Sequence, residues 1–134
     1  MHIDHIGIAV SDLEDAIKTW ESLVNRTCYK REVVEDQKVE TAFFETGESK
    51  VELLGATDPD SVITSYIEKR GEGLHHVAFE VKNIEAEIAR LKGEGFRLLN
   101  EVPKQGADNK RIAFMHPKNS NGVLVELCES ATKL

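Results

Sequence analysis

The chain is short of the residues that mark several protein classes. Among 134 residues there are two cysteines, three prolines and one tryptophan. Cys28 and Cys128 form no CxxC pair and are too few for a disulfide framework, which suits a reducing, cytoplasmic setting. No apolar run approaches the ~18 residues a membrane-spanning helix needs, so an integral membrane protein is not expected. Positive charge is the scarcer sign: 17 Lys and Arg stand against 24 Asp and Glu, a net charge of −7. An acidic chain repels phosphate backbones, which argues against nucleic acid as a partner; an anionic small molecule would need a locally basic patch. The opening MHIDHIGIAV has no basic n-region and reads as a first strand, not a signal peptide. With 40% hydrophobic and 31% charged residues, the composition is that of one globular domain, residues 1–134, large enough to bury a core.

An internal repeat organises the sequence. His5-Ile-Gly-Ile-Ala-Val10 resembles His76-Val-Ala-Phe-Glu-Val81, 71 residues on (76 − 5). The match continues through Asp12-Leu13-Glu14 against Asn83-Ile84-Glu85, and Ile17 against Ile88. Val51-Glu52-Leu53 then matches Val125-Glu126-Leu127, 74 residues on (126 − 52). Two ordered matches at nearly equal spacing predict two modules, about 1–70 and 71–134. Each half reads alike. Residues 3–10 form a strand, and Ser11 or Asp12 caps a helix on which Leu13, Ile17, Trp20 and Val24 make one apolar stripe. Strands are predicted at 28–35, 39–46 and 50–54, then a linking helix over 61–70 with Val62, Tyr66 and Ile67 on one face. The second half has a strand at 74–81, a helix over 83–94 stopped near Gly93 and Gly95, and strands at 96–101, 110–116 and 122–129. The expected fold is α+β: two tandem βαβββ modules forming a curved mixed sheet around a metal-binding cleft.

Side chains alternate along a strand. His5, Gly7 and Ala9 therefore share one face, with Ile6, Ile8 and Val10 on the face that meets the helix. His76, Ala78 and Glu80 share a face opposite Val77, Phe79 and Val81; Glu52 goes with Leu54, and Glu126 with Leu124 and Cys128. A carboxylate within VLVELC needs a cation, a proton or the solvent face of its sheet, because an unpaired buried charge costs several kcal/mol or more. One histidine in a strand is usually structural and one glutamate usually faces water. Four such residues at repeat-equivalent positions instead suggest a shared divalent ion, held by His5, His76, Glu52 and Glu126. His2, His75 and His116 are read as outside this set, and Trp20 as core.

HIGIAV, VELL, HHVAFEV and VLVELCE resemble the vicinal oxygen chelate superfamily. Within it, Arg70-Gly-Glu-Gly-Leu-His-His-Val-Ala-Phe79, Gly106-Ala with Lys110-Arg111, Phe114-Met-His-Pro-Lys118 and Gly122-Val-Leu-Val-Glu-Leu-Cys128 resemble the methylmalonyl-CoA epimerase family. The resemblance implies a divalent ion (Co, Zn, Ni or Mn) on His5, Glu52, His76 and Glu126, a CoA thioester substrate and a homodimer. It implies epimerisation at C2 through a metal-stabilised enolate, with Glu126 as one base and a second acid at Asp36 or its neighbour Glu35. Lys38 stands where that family usually has glycine. Lys104, Lys110, Arg111 and Lys118 are the local cations for the CoA phosphates. Three other activities share the fold: a glyoxalase I-type lyase, a non-catalytic antibiotic-binding protein and a ring-cleaving dioxygenase.

Overall fold

The computed structural model describes residues 1–130. Two compact units are present: His5–His75, and Met1–Asp4 together with the chain from His76 onward. Among the described residues no helix is long and apolar enough to cross a membrane.

In the first unit β1 (His2–Val10), which starts on the other unit's stretch, leads into α1 (Leu13–Val24), then β2 (Lys30–Val34), β3 (Val39–Glu45), β4 (Lys50–Ala56) and α2 (Val62–Arg70). β1 runs parallel to β4, while β4–β3 and β3–β2 are antiparallel. Of the two possible caps, Asp12 is the one used: its carboxylate accepts from Asp15 N at 3.1 Å. Ser11 N instead donates to Glu72 Oε2 at 2.7 Å. Asn25 closes the helix in the left-handed conformation, φ 56°. The predicted stripe packs Ile17, Leu13, Trp20 and Val24 against Ile6, Ile8, Val10, Ala42, Phe44, Val51 and Leu53. On the opposite face α2 sets Ile63, Tyr66 and Ile67 on Ala9, Val39 and Leu54. Val62 is exposed, not part of that face. Ser61 accepts from Ile63 N as N-cap, and that phase turns Ile63 inward in its place.

The second unit repeats the order with β5 (Gly73–Glu80), α3 (Ile84–Gly93), β6 (Lys104–Gln105), β7 (Lys110–Met115) and β8 (Val125–Ser130). β5 is parallel to β8, and β8–β7 and β7–β6 are antiparallel. Asn83 caps α3 through Ala86 N at 3.1 Å. Ile84, Ile88 and Leu91 then pack on Val81, Leu98, Ala113, Met115 and Leu127. Both modules are thus βαβββ and the class is α+β.

Three strands differ from expectation. Residues 96–101 form no strand, only a bridge from Leu98 to Met115. Leu99 N donates to Phe114 O at 2.7 Å and His116 N to Arg97 O at 2.8 Å, and the Asn100 side chain adds to them: Oδ1 accepts from Phe114 N at 2.9 Å and Nδ2 donates to Val102 O at 3.1 Å. The paired residues come later, at Lys104–Gln105. The first half's second strand stops at Val34, because Glu35–Gln37 wind into a 3₁₀ turn that ends on Lys38 at φ 57°. The last strand begins at Val125, after a turn with Asn121 at φ 59° and Gly122 at φ 83°.

Candidate functional site

Strand register brings one histidine and one glutamate together in each unit. In the first, Gly7 is the Cα partner of Glu52. Directly paired residues point to the same side, and so does His5, two residues before Gly7. His5 Nδ1 lies 3.1 Å from Glu52 Oε2. In the second unit Ala78 is the partner of Glu126, and His76, again two residues earlier, places Nε2 3.4 Å from Glu126 Oε1. All four residues are buried, none above 6% exposed. The same diagonal is therefore built twice, with glycine or alanine at the crossing point so that the two polar side chains have room.

The other neighbour of each glutamate is also repeated. Phe43 is the Cα partner of Glu52 across β3–β4, and Phe114 that of Glu126 across β7–β8. Phe43 is fully buried, and the Phe114 ring stands edge-on to His76 at 6.0 Å between centroids. These walls escaped the sequence reading, yet a signal existed: Ala42-Phe43 recurs as Ala113-Phe114 with the spacing of 71 that relates His5 to His76. Below Glu126, Cys128 is wholly buried. Burial first, then the charges of Asp4 and Glu126, pushes its thiol up, so it stays protonated and apolar in character.

The chemistry of the donor set fits a borderline divalent ion. Imidazole nitrogen and carboxylate oxygen bind such ions at about 2.0–2.2 Å, which spaces neighbouring ligand atoms about 3.0–3.4 Å apart. The two His–Glu separations lie in that range. Two carboxylates buried this deeply also call for compensating positive charge, which a divalent ion would supply.

The remaining histidines have other work. His75 meets Tyr66 edge-on at 4.9 Å, and burial lowers its pKa. His2 pairs with Glu80 at 3.4 Å. His116 Nδ1 accepts from Lys118 N at 3.1 Å and caps a 3₁₀ turn. Glu35 and Asp36 are both exposed on their turn. That turn leaves β2 from the rung Val34–Val39–Ala56, four residues along β4 from Glu52, or roughly 13 Å at the usual strand rise. The structure therefore does not bring these acids against the His5–Glu52 pair.

The four expected cations separate into two kinds. Lys104 and Lys118 are exposed. Arg111 is paired with Glu85 and, at 3.2 Å, with Glu129. Lys110 is buried: Nζ lies 3.0 Å from Asp4 and 3.4 Å from Glu80, with the lysine and Asp4 side chains 9% and 5% exposed. Burial alone would lower the pKa of this ammonium; the hydrogen bond and charge of Asp4, joined by the charge of Glu80, carry it above the ordinary lysine value. His2, Asp4 and Glu80 gather in this unit in a way that could hold a metal, but the Lys110 ammonium already lies between Asp4 and Glu80. Lys110→Met leaves Asp4 buried without its cation and is expected to destabilise the fold by about 3–5 kcal/mol in chemical denaturation. Lys104→Met and Lys118→Met should stay within about 0.5 kcal/mol of the parent. An unchanged midpoint for Lys110→Met would refute the structural role of the pair.

The match to known proteins runs the length of the chain. Residues 4–114 match the model of the Glyoxalase/Bleomycin resistance protein/Dioxygenase superfamily. The Bacillus subtilis protein YqjC is 42% identical over 127 residues, covering 95% of this chain and 91% of that protein. The ethylmalonyl-CoA/methylmalonyl-CoA epimerase of Cereibacter sphaeroides is 37% identical over 127 residues, covering 93% of this chain and 95% of that enzyme. Among solved structures, a variant of the Streptomyces coelicolor methylmalonyl-CoA epimerase in complex with 2-nitronate-propionyl-CoA superposes with a TM-score of 0.93 at 36% identity, covering 98% of this chain and 96% of that one.

Proposed function

The chain belongs to the Glyoxalase/Bleomycin resistance protein/Dioxygenase superfamily, and on that footing we propose that it interconverts the two C2 stereoisomers of methylmalonyl-CoA as a metal-dependent epimerase. Its likeness to epimerases along its whole length makes it an isomerase. The observation that carries the reading is the buried His–Glu pair built at the same register in both modules. His5, Glu52, His76 and Glu126 together would hold one ion of Co, Zn, Ni or Mn. Such an ion would supply charge stabilisation for the thioester oxygen as the C2 proton leaves.

The chain's own residues do the rest. Inversion at C2 needs a base on each face of the flattened carbon. Glu126 is assigned to one face, and Asp36 or Glu35 to the other. Phe43 and Phe114 stand beside the buried glutamates across their strands, so charge there acts through a medium of low polarity. Lys104 and Lys118, exposed on the second module, are assigned to the CoA phosphates, while Lys110 and Arg111 are engaged by carboxylates of the fold. A homodimer is proposed as the working form, to be read by sedimentation as twice the chain mass. Two cysteines that form no disulfide fit the proposed cytoplasmic location.

The direct test follows each pure C2 isomer of methylmalonyl-CoA by NMR in deuterated buffer with metal-loaded protein. Both isomers should lose their C2 proton and interconvert. Inert methylmalonyl-CoA beside turnover of a methylglyoxal–thiol hemithioacetal would replace the reading with the lyase.

A further inference from the structure

We infer that Glu80, Ser130 and Lys110 are positioning residues for the His76–Glu126 pair: they clasp the far end of the three strands that carry the pair and its aromatic wall, and so fix the register on which ion binding depends. The inference rests on the metal centre proposed above and adds residues that act on it through the strands.

Each of three strands gives one residue to the site and, four positions away, one to the clasp. β5 carries His76 and Glu80, β8 carries Glu126 and Ser130, and β7 carries Phe114 and Lys110. Residues four apart on a strand share a face, so site and clasp lie on one side of the sheet, roughly 13 Å apart. Ser130 Oγ donates to Glu80 Oε1 at 2.9 Å, and Lys110 Nζ lies 3.4 Å from the same oxygen. Lys110 is the Cα partner of Ser130, so its ammonium reaches from β7 across β8 to β5. Its other partner, Asp4 at 3.0 Å, lies on β1 directly before His5.

Between clasp and site, Ala78, Ile112 and Cys128 form a buried apolar layer. A slip of two residues keeps every side chain on its face, and apolar contact is non-directional, so that layer alone opposes such a slip weakly. Hydrogen bonds and ion pairs oppose it directly. Ala78 is paired with Glu126 and Glu80 with Cys128, which makes His76–Glu126 and Glu80–Ser130 diagonals of the same slant between β5 and β8. A shift that opens one diagonal opens the other.

The first module shows what the clasp replaces. The repeat puts Ala9 and Val39 at the positions of Glu80 and Lys110 (80 − 9 and 110 − 39 are both 71), and Ala56 at that of Ser130 (130 − 56 is 74). There α2 packs Ile63, Tyr66 and Ile67 on Ala9, Val39 and Leu54. The matching cluster around Cys128 in the second module contains no helical residue. Ion pairs and a hydroxyl hold the end of this module that a helix holds in the other.

Cobalt(II) is the probe: its visible absorption reports ligand geometry, and competition with a chromophoric chelator gives its affinity. Ser130→Ala removes the hydroxyl, and Glu80→Gln removes the charge. Each should weaken Co²⁺ binding about 3–30-fold, the coupling expected through packed residues, and shift the cobalt bands. Ser130→Thr keeps the hydroxyl and should restore parental affinity and spectrum. Ser120→Ala deletes a hydroxyl that donates to Val123 O in the same unit and should change neither. Urea midpoints of the metal-free variants are read beside these, because a purely structural clasp would move them alone. Parental cobalt affinity and spectrum in both Ser130→Ala and Glu80→Gln would therefore overturn the proposal. So would equal weakening in Ser120→Ala, or failure of Ser130→Thr to restore binding. A parent protein that binds no Co²⁺ would overturn the metal centre and this inference with it. A parent that binds Co²⁺ and shows the expected variant pattern, yet leaves both methylmalonyl-CoA isomers unchanged, would overturn the epimerase reading alone.

Discussion

His76→Ala is expected to lose both metal and epimerisation, with the rate falling by at least about 10²–10³-fold, the usual cost of removing one group that stabilises developing charge. Removing an outer-shell partner of a metal ligand costs about 10–100-fold in metal affinity, and loss of a ligand itself should exceed that. Two effects are separable. His76 lies 3.4 Å from Glu126, so the alanine variant also leaves a buried carboxylate without its neighbour. That costs about 1–3 kcal/mol of stability, which a melting curve reads apart from metal content. Glu52→Gln keeps the shape and burial of its site and removes one charge, so it should lower metal occupancy with little change in melting temperature. His75→Ala supplies the contrast: its ring faces Tyr66, and elemental analysis should find its metal at the parental level. Full metal in His76→Ala would remove His76 from the ligand set and break the parallel between the two modules.

How much of this was legible in the sequence depends on whether an interaction leaves a periodic trace. The His–Glu pairs did, because alternation assigns faces and the repeat gives each residue a counterpart. α1 did as well: its stripe and its acidic cap are local patterns, and only the choice between Ser11 and Asp12 needed coordinates. The stretch 96–101 did not. Its residues have strand character and keep two backbone hydrogen bonds to the Phe114–His116 segment, but the Phe114 N–H that would extend the ladder is taken by the Asn100 side chain, 14 positions away. The phase of α2 differs by one residue from the sequence expectation, with Ile63 and not Val62 on the buried face, because nine helical residues carry too few apolar positions to fix a face. Lys110, expected among the cations for the CoA phosphates, is instead buried against Asp4, 106 residues away, and such charge pairing follows no period. The Phe43–Phe114 pair leaves a trace in the sequence as well: both stand beside an alanine at the repeat spacing.

The two-base arrangement predicts an asymmetric result. If Glu126 serves one face of C2 and an acid of the Glu35–Gln37 turn the other, each meets a different stereoisomer first. Loss of the second base should leave solvent exchange at C2 of one isomer while interconversion falls by about 10²–10⁴-fold. The turn's construction bears on which acid is used. Lys38 ends it at φ 57°, a conformation glycine adopts at no cost, and its Nζ lies 3.7 Å from Asp60. Ser61 Oγ donates to Gln37 O at 3.4 Å, tying the turn to the start of α2. A turn fixed at both ends presents Glu35 and Asp36 in different directions, so the two cannot exchange roles without rebuilding it. Glu35→Gln and Asp36→Asn, made separately, keep shape and remove charge. Deuterium uptake into each pure isomer, followed by NMR, should show one variant that behaves as the parent and one that exchanges a single isomer and barely epimerises. Normal epimerisation by both would put the second base elsewhere, with Glu52 the next residue to test. Loss of metal in the double variant would make the acids part of the scaffold and end their assignment as bases.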